Sequence, residues 1–165
     1  MMQPVLNIAD VALREIGNGG AFVGQAGRLG PLIGMKQLGC QLIVLAPGKT
    51  AFPLHAHHVN EEMLVVREGT GTYRHGAARL PLRAGDVVAA PAGDAASAHQ
   101  IINTGDTERR YLASSTRVNI DVVEYPDSGK FLVASQIPEY GGMLSAPFQF
   151  IGRSKDSVDY YDGGG

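Results

Sequence analysis

Residues 48–62 carry the strongest structural signal in the chain, and they read Gly48-Lys-Thr-Ala-Phe-Pro-Leu-His55-Ala-His57-His58-Val-Asn-Glu61-Glu62. His55 and His57 are two positions apart, and side chains with this spacing lie on the same side of a strand. A chain turn at residues 59–60 would return Glu62 to the same interior, and His99 would arrive from a distant strand. Three neutral imidazole nitrogens and one carboxylate form a suitable ligand set for a divalent transition metal. The pattern predicts that one ion per chain is bound by His55, His57, Glu62 and His99.

A second segment, residues 85–103, carries a related pattern. It reads Gly85-Asp-Val-Val-Ala-Ala-Pro91-Ala-Gly93, and His99 and Asn103 follow. Over about residues 38–123 the chain resembles the cupin superfamily, which has two sequence motifs. The first motif is His-x-His, three or four residues, Glu, six residues and Gly, and it is matched by His55, His57, Glu62 and Gly69. The second is Gly, five residues, Pro-x-Gly, two residues, His, three residues and Asn, and it matches except that five residues separate Gly93 from His99.

The resemblance implies both a fold and a metal site. We expect an all-β chain forming a single antiparallel β-barrel of the jelly-roll type. Four protein ligands in an octahedral frame would leave two adjacent positions open to water, dioxygen or a bidentate substrate. Such a site favours Fe, Mn or Ni, with Zn as a further option. Glu62 is also the expected catalytic carboxylate; Glu61 competes for this role, but the family spacing to Gly69 selects Glu62.

The organisation of the chain is consistent with one barrel between two arms. Short β-type runs alternate with turn residues over 38–125, which is typical of a sandwich or barrel. Residues 1–37 contain too many glycines for a regular helix, and we expect an irregular N-terminal arm with one or two short edge strands. Residues 126–165 combine prolines and glycines with aromatic side chains. We expect this C-terminal extension to pack on the barrel or on a partner.

Composition and charge narrow the classes of function. With 165 residues, 44% of them hydrophobic and 18% charged, the chain is one ordinary globular domain. A formal net charge of −2 provides no footprint for nucleic acid, and no apolar run is long enough to cross a bilayer. The first residues lack the pattern of a secretory signal. The single cysteine, Cys40, cannot form an internal disulfide, so we expect a cytoplasmic protein in which Cys40 lies buried in a strand.

The resemblance does not name a reaction, because cupins include isomerases, epimerases, dioxygenases and proteins without catalytic activity. Our preferred hypothesis is a metal-dependent enzyme acting on a small polar metabolite, with sugar-phosphate isomerisation or epimerisation ahead of dioxygenation by a non-haem metal. The alternative from another class is a non-enzymatic protein that binds a small molecule. The candidate contacts for an anionic substrate are Lys49, Arg67, Arg74 and Arg79, although strand alternation turns Arg67 outward.

We also expect a homodimer, built through the outer sheet with help from the terminal arms. The apolar run from Leu42 to Leu45 is one reason, because an apolar strand at a sheet edge needs a cover. The aromatic C-terminal extension is the other, because a partner's sheet offers it a broad face.

Overall fold

The computed structural model describes residues 4–138 and 141–164, and within them the chain is all-β, with no α-helix. The strands are β1 (Arg14–Gly17), β2 (Val23–Arg28), β3 (Leu38–Leu45), β4 (Ala56–His57), β5 (Glu62–Glu68), β6 (Gly71–His75), β7 (Ala78–Leu82), β8 (Val87–Ala90), β9 (His99–Ile102), β10 (Arg109–Thr116), β11 (Ile120–Tyr125), β12 (Lys130–Ser135) and β13 (Phe148–Gly152). Short 3-10 turns lie at Ile8–Asp10, Gly30–Ile33, Ala95–Ser97, Met143–Ser145 and Ser154–Asp156. Over these residues, the chain forms no helix that is long and apolar enough to span a membrane.

The strands form three antiparallel sheets. Six strands make the largest sheet, in the order β1-β2-β3-β10-β5-β8, and the others run β13-β12-β11-β4 and β7-β6-β9. A pair of backbone hydrogen bonds between His55 and His99 links β9 to the segment entering β4, so the two smaller sheets continue into each other. The predicted all-β jelly roll is therefore confirmed. Over the described residues, its sheets are not closed into one hydrogen-bonded barrel.

The main core lies between the large sheet and the β7-β6-β9 sheet. Alternate residues of the strands point into it, as the period of two requires, and its buried members include Ile43, Leu45, Leu64, Val66, Tyr73, Ile101 and Tyr111. The end of this interior that carries His55 and His99 is lined by polar side chains, and there the candidate site is found.

The strand containing Leu42–Leu45 occupies a position that the sequence analysis assigned wrongly. We expected an apolar edge strand, but β3 is central, between β2 and β10. Its other face is also covered, because Leu42 and Val44 pack against Val11 and Leu29 of the N-terminal segment. The run is continuously apolar because both faces of the strand are buried, and not because the strand lies at an edge.

Both flanking segments are hydrogen-bonded into the sheets. The N-terminal residues supply β1 and β2, which extend the large sheet beyond β3. The C-terminal residues supply β12, which pairs with β11, and β13, which pairs with β12. The division of the chain at residues 38 and 125 remains a prediction.

Candidate metal centre

Three of the four predicted ligands come together at one end of the interior. His55 precedes β4, Glu62 begins β5 and His99 begins β9, and one ligand atom from each lies within 4.8 Å of the others. Oε2 of Glu62 is 2.9 Å from Nε2 of His99 and 3.9 Å from Nε2 of His55. The cluster is largely withdrawn from solvent, with His99 only 4% exposed. Two imidazoles and a carboxylate in this arrangement fit a divalent transition ion.

The second motif has five residues instead of two between Gly93 and His99, and these three extra residues do not displace His99. Residues 94–98 fold into a single 3-10 turn, capped by the Asp94 side chain, which accepts a hydrogen bond from the Ala96 amide at 2.9 Å. The turn ends at the fully buried Ala98, and the next residue is bonded to His55 through both backbone groups, at 2.7 and 3.1 Å. The backbone pairing therefore brings His55 and His99 together in spite of the longer loop.

His57, the fourth predicted ligand, lies beside this group but outside the 4.8 Å cluster of the described residues. Its ring centroid is 5.2 Å from that of His55, so the two imidazoles do share a face, as their spacing predicted. Its Nδ1 is 2.7 Å from Oδ2 of Asp121 on β11. In a neutral imidazole this bond places the proton on Nδ1 and leaves Nε2 with a lone pair for a ligand.

Asp121 is a member of the site that the sequence analysis missed. It is fully buried and also accepts hydrogen bonds from the Val59 amide at 3.1 Å and from Nδ2 of Asn60 at 2.8 Å. Asn60 in turn accepts from the Val118 amide at 2.8 Å. The network ties the turn between β4 and β5 to β11. The sequence did contain one indication of this role. Asp121 is an acidic residue two positions before Val123, so it lies on the inward face of an apolar strand.

The electrostatics of the cluster favour the protonation states that metal binding needs. Burial, together with the neighbouring His99, lowers the pKa of His55 to about 4. Burial alone would raise the pKa of Glu62, but the hydrogen bond from His99 and the charges of His55 and His57 outweigh it and leave that pKa below its usual range. At neutral pH Glu62 is therefore ionised and His55 is neutral, as ligation requires.

His57 is shifted in the opposite direction. Burial lowers its pKa, but the hydrogen bond to Asp121 and the charges of Glu62 and Asp121 prevail, so the pKa of His57 is raised above 6.5. The pKa of Asp121 is lowered, because hydrogen bonds from His57 and Asn60 outweigh the effect of burial. The two groups thus stabilise each other in their charged forms when no ion is bound.

The remaining candidates lie away from the cluster. Glu61 is exposed, and His58 faces Glu124 at 3.3 Å with 39% of its side chain exposed. Asn103 is fully buried and bonds the carbonyls of Leu45 and Thr107, both at 2.9 Å, which is a structural role.

A cavity of about 910 Å³ opens from the cluster and is large enough for a small metabolite. Its lining does not include the four basic residues proposed from the sequence as anion contacts, Lys49, Arg67, Arg74 and Arg79. Arg74, for example, forms a two-pronged ion pair with Asp127, at 2.6 and 2.7 Å. The basic residues that do line the cavity are Arg28, Lys36 and Arg117, none of which the sequence analysis selected.

Two solved structures are similar to this chain over nearly its whole length. A protein from Acidithiobacillus ferrooxidans, provisionally named a sugar phosphate isomerase, is 28% identical, with a TM-score of 0.80, over 94% of this chain and 95% of that one. A sugar phosphate isomerase of the cupin superfamily from Silicibacter pomeroyi is 24% identical, with a TM-score of 0.76, over 96% and 98% of the two chains. At that identity the second likeness concerns the fold alone.

A third solved structure covers only the central part of the chain. It is a predicted oxalate decarboxylase from Thermotoga maritima, 25% identical with a TM-score of 0.60, over 69% of this chain and 99% of that one. No curated protein matches the sequence. The family model described as Cupin domain matches residues 41–115, which contain both motifs. The resemblance seen in the two motifs is confirmed: residues 41–115 of this chain match the cupin domain.

Proposed function

We propose that this protein is a metal-dependent isomerase or epimerase of a phosphorylated sugar. The observation that carries the proposal is the cluster of His55, Glu62 and His99 at the wall of a cavity of about 910 Å³. A carboxylate and two imidazoles of this kind suit an ion with open positions, and the cavity can hold a small polar metabolite beside it. The likeness to the Acidithiobacillus ferrooxidans protein, at 28% identity over nearly the whole chain, supports the choice of substrate class.

In the proposed isomerisation, a proton moves from the carbon beside the carbonyl to the carbonyl carbon, and the hydroxyl proton of the first carbon moves to the carbonyl oxygen. In the proposed epimerisation, the proton that leaves the carbon is replaced on the opposite face of the same carbon. A bound divalent ion would polarise the substrate's carbonyl oxygen and make the adjacent carbon more acidic. Glu62 is ionised at neutral pH, and its carboxylate takes the proton from that carbon. For isomerisation it returns the proton to the carbonyl carbon while the hydroxyl proton passes to the carbonyl oxygen through water; for epimerisation water supplies a proton to the opposite face and Glu62 releases its own to solvent. The other acidic residue in the described lining, Asp121, is fully buried and bonded to three groups, so Glu62 is assigned the proton transfer.

In this proposal the histidines and the cavity walls position the substrate. In the proposal, His55, His57 and His99 would hold the ion beside this carboxylate. Tyr111 and Ala113 are apolar parts of the wall of the same cavity.

The test is solvent hydrogen exchange at the reacting carbon. The purified protein would be loaded separately with Fe(II), Mn(II), Ni(II) or Zn(II) and incubated in D₂O with a panel of aldose and ketose phosphates. We expect proton NMR to show deuterium beside the carbonyl, and conversion of one sugar phosphate into another, with at least one metal. Glu62→Gln should lower the rate by about 100-fold or more, and His58→Ala should leave it unchanged.

Measuring oxygen consumption tests the competing hypothesis, which is that the protein is a dioxygenase. If none of the sugar phosphates exchanges with any metal, and the Fe(II)-loaded protein takes up dioxygen with a non-phosphorylated substrate, the isomerase proposal is wrong and the dioxygenase hypothesis replaces it.

A further inference from the structure

Two neutral polar side chains, Gln41 and Ser115, line the cavity beside the candidate metal centre. Gln41 lies on β3 and Ser115 on β10, and both are half-buried. Within residues 4–138 and 141–164, neither side chain forms a hydrogen bond with another residue. Their polar atoms are therefore available to a molecule in the cavity, and we refer to these two residues as the polar strip.

The register of the large sheet places Ser115 directly beside Glu62. Ser115 of β10 is opposite Glu62 of β5. Residues that are opposite each other in antiparallel strands share a face of the sheet, and their Cβ atoms lie about 4.5–5.5 Å apart. The carboxylate that the proposed reaction uses therefore has a hydroxyl group as its neighbour on the adjoining strand.

Gln41 extends the strip along the same inward face. It is opposite Ala113 of β10, two residues before Ser115. Ile43, two positions further along β3, belongs to the main core, so Gln41 also points inward. Diagonal neighbours such as Gln41 and Ser115 lie about 7–8 Å apart, a distance that two hydroxyl groups of one small ligand can cover.

Small residues leave room for the polar strip. Gly39 of β3 is opposite Ser115, and a Cβ at this position would lie 2.6 Å from Oγ of Ser115. Any larger residue at position 39 would therefore displace the hydroxyl. Ala113, between Gln41 and Leu64 in the sheet, contributes only a methyl group. The floor of the cavity thus has polar groups with little bulk between them.

The chemistry of the polar strip suits neutral hydroxyl groups. A serine hydroxyl donates one hydrogen bond and accepts others, and a glutamine amide contains two donors and an acceptor oxygen. A sugar hydroxyl also donates and accepts, so it can pair with either side chain. Neither side chain of the strip carries a charge. A polyhydroxylated ligand therefore matches the strip better than an apolar ligand does.

We propose that Ser115 binds the hydroxyl group on the carbon that gives its proton to Glu62, and that Gln41 binds a hydroxyl further along the sugar. The inference rests on the proposed function in one respect, namely that the ligand is a sugar derivative with its reacting carbon beside Glu62. It adds the residues that select a substrate by its hydroxyl groups. A deoxy analogue leaves one of these side chains unpaired in the cavity, which weakens its binding.

The test is calorimetric titration of the full-length protein as purified, with sorbitol 6-phosphate and with its 2-deoxy analogue. Neither compound has a carbonyl group, so neither is isomerised and binding is measured alone. We expect the wild type to bind sorbitol 6-phosphate about fivefold more tightly than the analogue, since one hydrogen bond is lost. Ser115→Ala should bind the two compounds equally. Gln41→Met should bind both about fivefold more weakly and keep the preference between them.

Ser114→Ala is the matched control. Ser114 lies on the opposite face of β10, and its hydroxyl donates to Sγ of Cys40 at 3.5 Å. This variant should keep both wild-type affinities. Misfolding cannot imitate the expected result for Ser115→Ala, because the variant must still bind both compounds to show that it no longer distinguishes them.

The outcomes of the titration are distinct from those of the exchange assay. The role of Ser115 is overturned if the wild type binds neither compound, if it shows no preference, or if Ser115→Ala retains the preference. Wild-type affinities in Gln41→Met would overturn the role of Gln41. Each of these results can occur in a protein that isomerises sugar phosphates. A preference that depends on Ser115, in a protein that exchanges no sugar phosphate, would support the strip and overturn the isomerase.

Discussion

The hydrogen bond between His57 and Asp121 sets the orientation of the His57 ring in the site. Because the buried carboxylate is bonded to Nδ1, the ring is held in one orientation with Nε2 available. His58, the next residue, faces Glu124 on the opposite side. The two adjacent imidazoles therefore have different environments, so single substitutions can distinguish the role of His57 from that of His58.

The first prediction concerns the metal content of variants at these two positions. His57→Ala removes a coordinate bond, so elemental analysis should find metal strongly reduced from about one ion per chain. His58→Ala should stay near the wild-type content. Equal losses in the two variants would exclude His57 from the ligand set.

The second prediction assigns Asp121 a positioning role. Asp121→Asn keeps the size of the side chain but can offer an amide N–H to Nδ1 of His57, which favours the wrong tautomer. Metal affinity measured by chelator competition should fall by about 10- to 100-fold. Asp127→Asn is the control, because Asp127 pairs with Arg74 at the surface. An unchanged affinity in Asp121→Asn would contradict the role.

The third prediction concerns pH. A proton on Nε2 of His57 competes with the ion, and the pKa of His57 is raised by Asp121 and Glu62, against the opposing effect of burial. Affinity should therefore begin to fall as the pH drops through a value above 6.5. His55, with a pKa of about 4, should contribute only at much lower pH. Chelator competition between pH 5 and 8 measures the onset, and an onset only near pH 4 would show that His57 does not bind the ion.

At the level of elements, β12 has buried side chains, whereas the side chains of β13 are mostly exposed. Leu132 and Ala134 of β12 are buried, and the strand covers the edge of β11. The extension was expected to pack on the barrel or on a partner, and four of its aromatic residues, Phe148, Phe150, Tyr160 and Tyr161, are exposed in the single chain. Aliphatic packing and strand pairing therefore attach the extension to the sheets.

The fourth prediction compares two truncations of the extension. Removing residues 158–165 takes away exposed side chains such as Tyr160, which is 91% exposed, and should change the free energy of unfolding in urea by less than about 0.5 kcal/mol. Removing residues 126–165 deletes β12 and its buried Leu132, and should cost about 3 kcal/mol or more. Equal effects of the two truncations would show that β12 does not contribute to the core.

At the level of the whole molecule, the exposed edge of β13 is the main feature that needs a partner. β13 is the terminal strand of its sheet, and Phe148, Phe150 and Ile151 are exposed on it. Because an apolar strand edge invites pairing with another chain, the expected homodimer has a better location here than at β3, which is central.

The fifth prediction is the dimer itself. Light scattering at micromolar concentration should give a mass near twice the 17.4 kDa of the chain. Phe150→Lys should shift the mass toward the monomer, whereas Tyr161→Lys should have no effect. A wild-type mass near that of one chain would end the dimer prediction.

The sequence by itself determined the all-β class, the cupin resemblance and the grouping of His55 with Glu62 and His99. These inferences depend on local geometry: the period of two along a strand, and a short turn that returns the chain to the same interior. Asn103 belongs with them in one respect, because its bonds to the Thr107 carbonyl and from the Gly105 amide lie within its own loop, whereas its bond to the Leu45 carbonyl spans 58 positions and depends on the tertiary structure.

Only the tertiary structure decided which distant residues surround that cluster. Asp121 reaches His57 across 64 positions, and Arg28, Lys36 and Arg117 line one cavity although they come from separate segments of the chain. The central position of β3 has the same origin, since an apolar run of four residues fits an edge strand or a doubly covered one equally well. Strand order and register are set by packing between segments far apart in the chain, so spacing along one segment cannot reveal them.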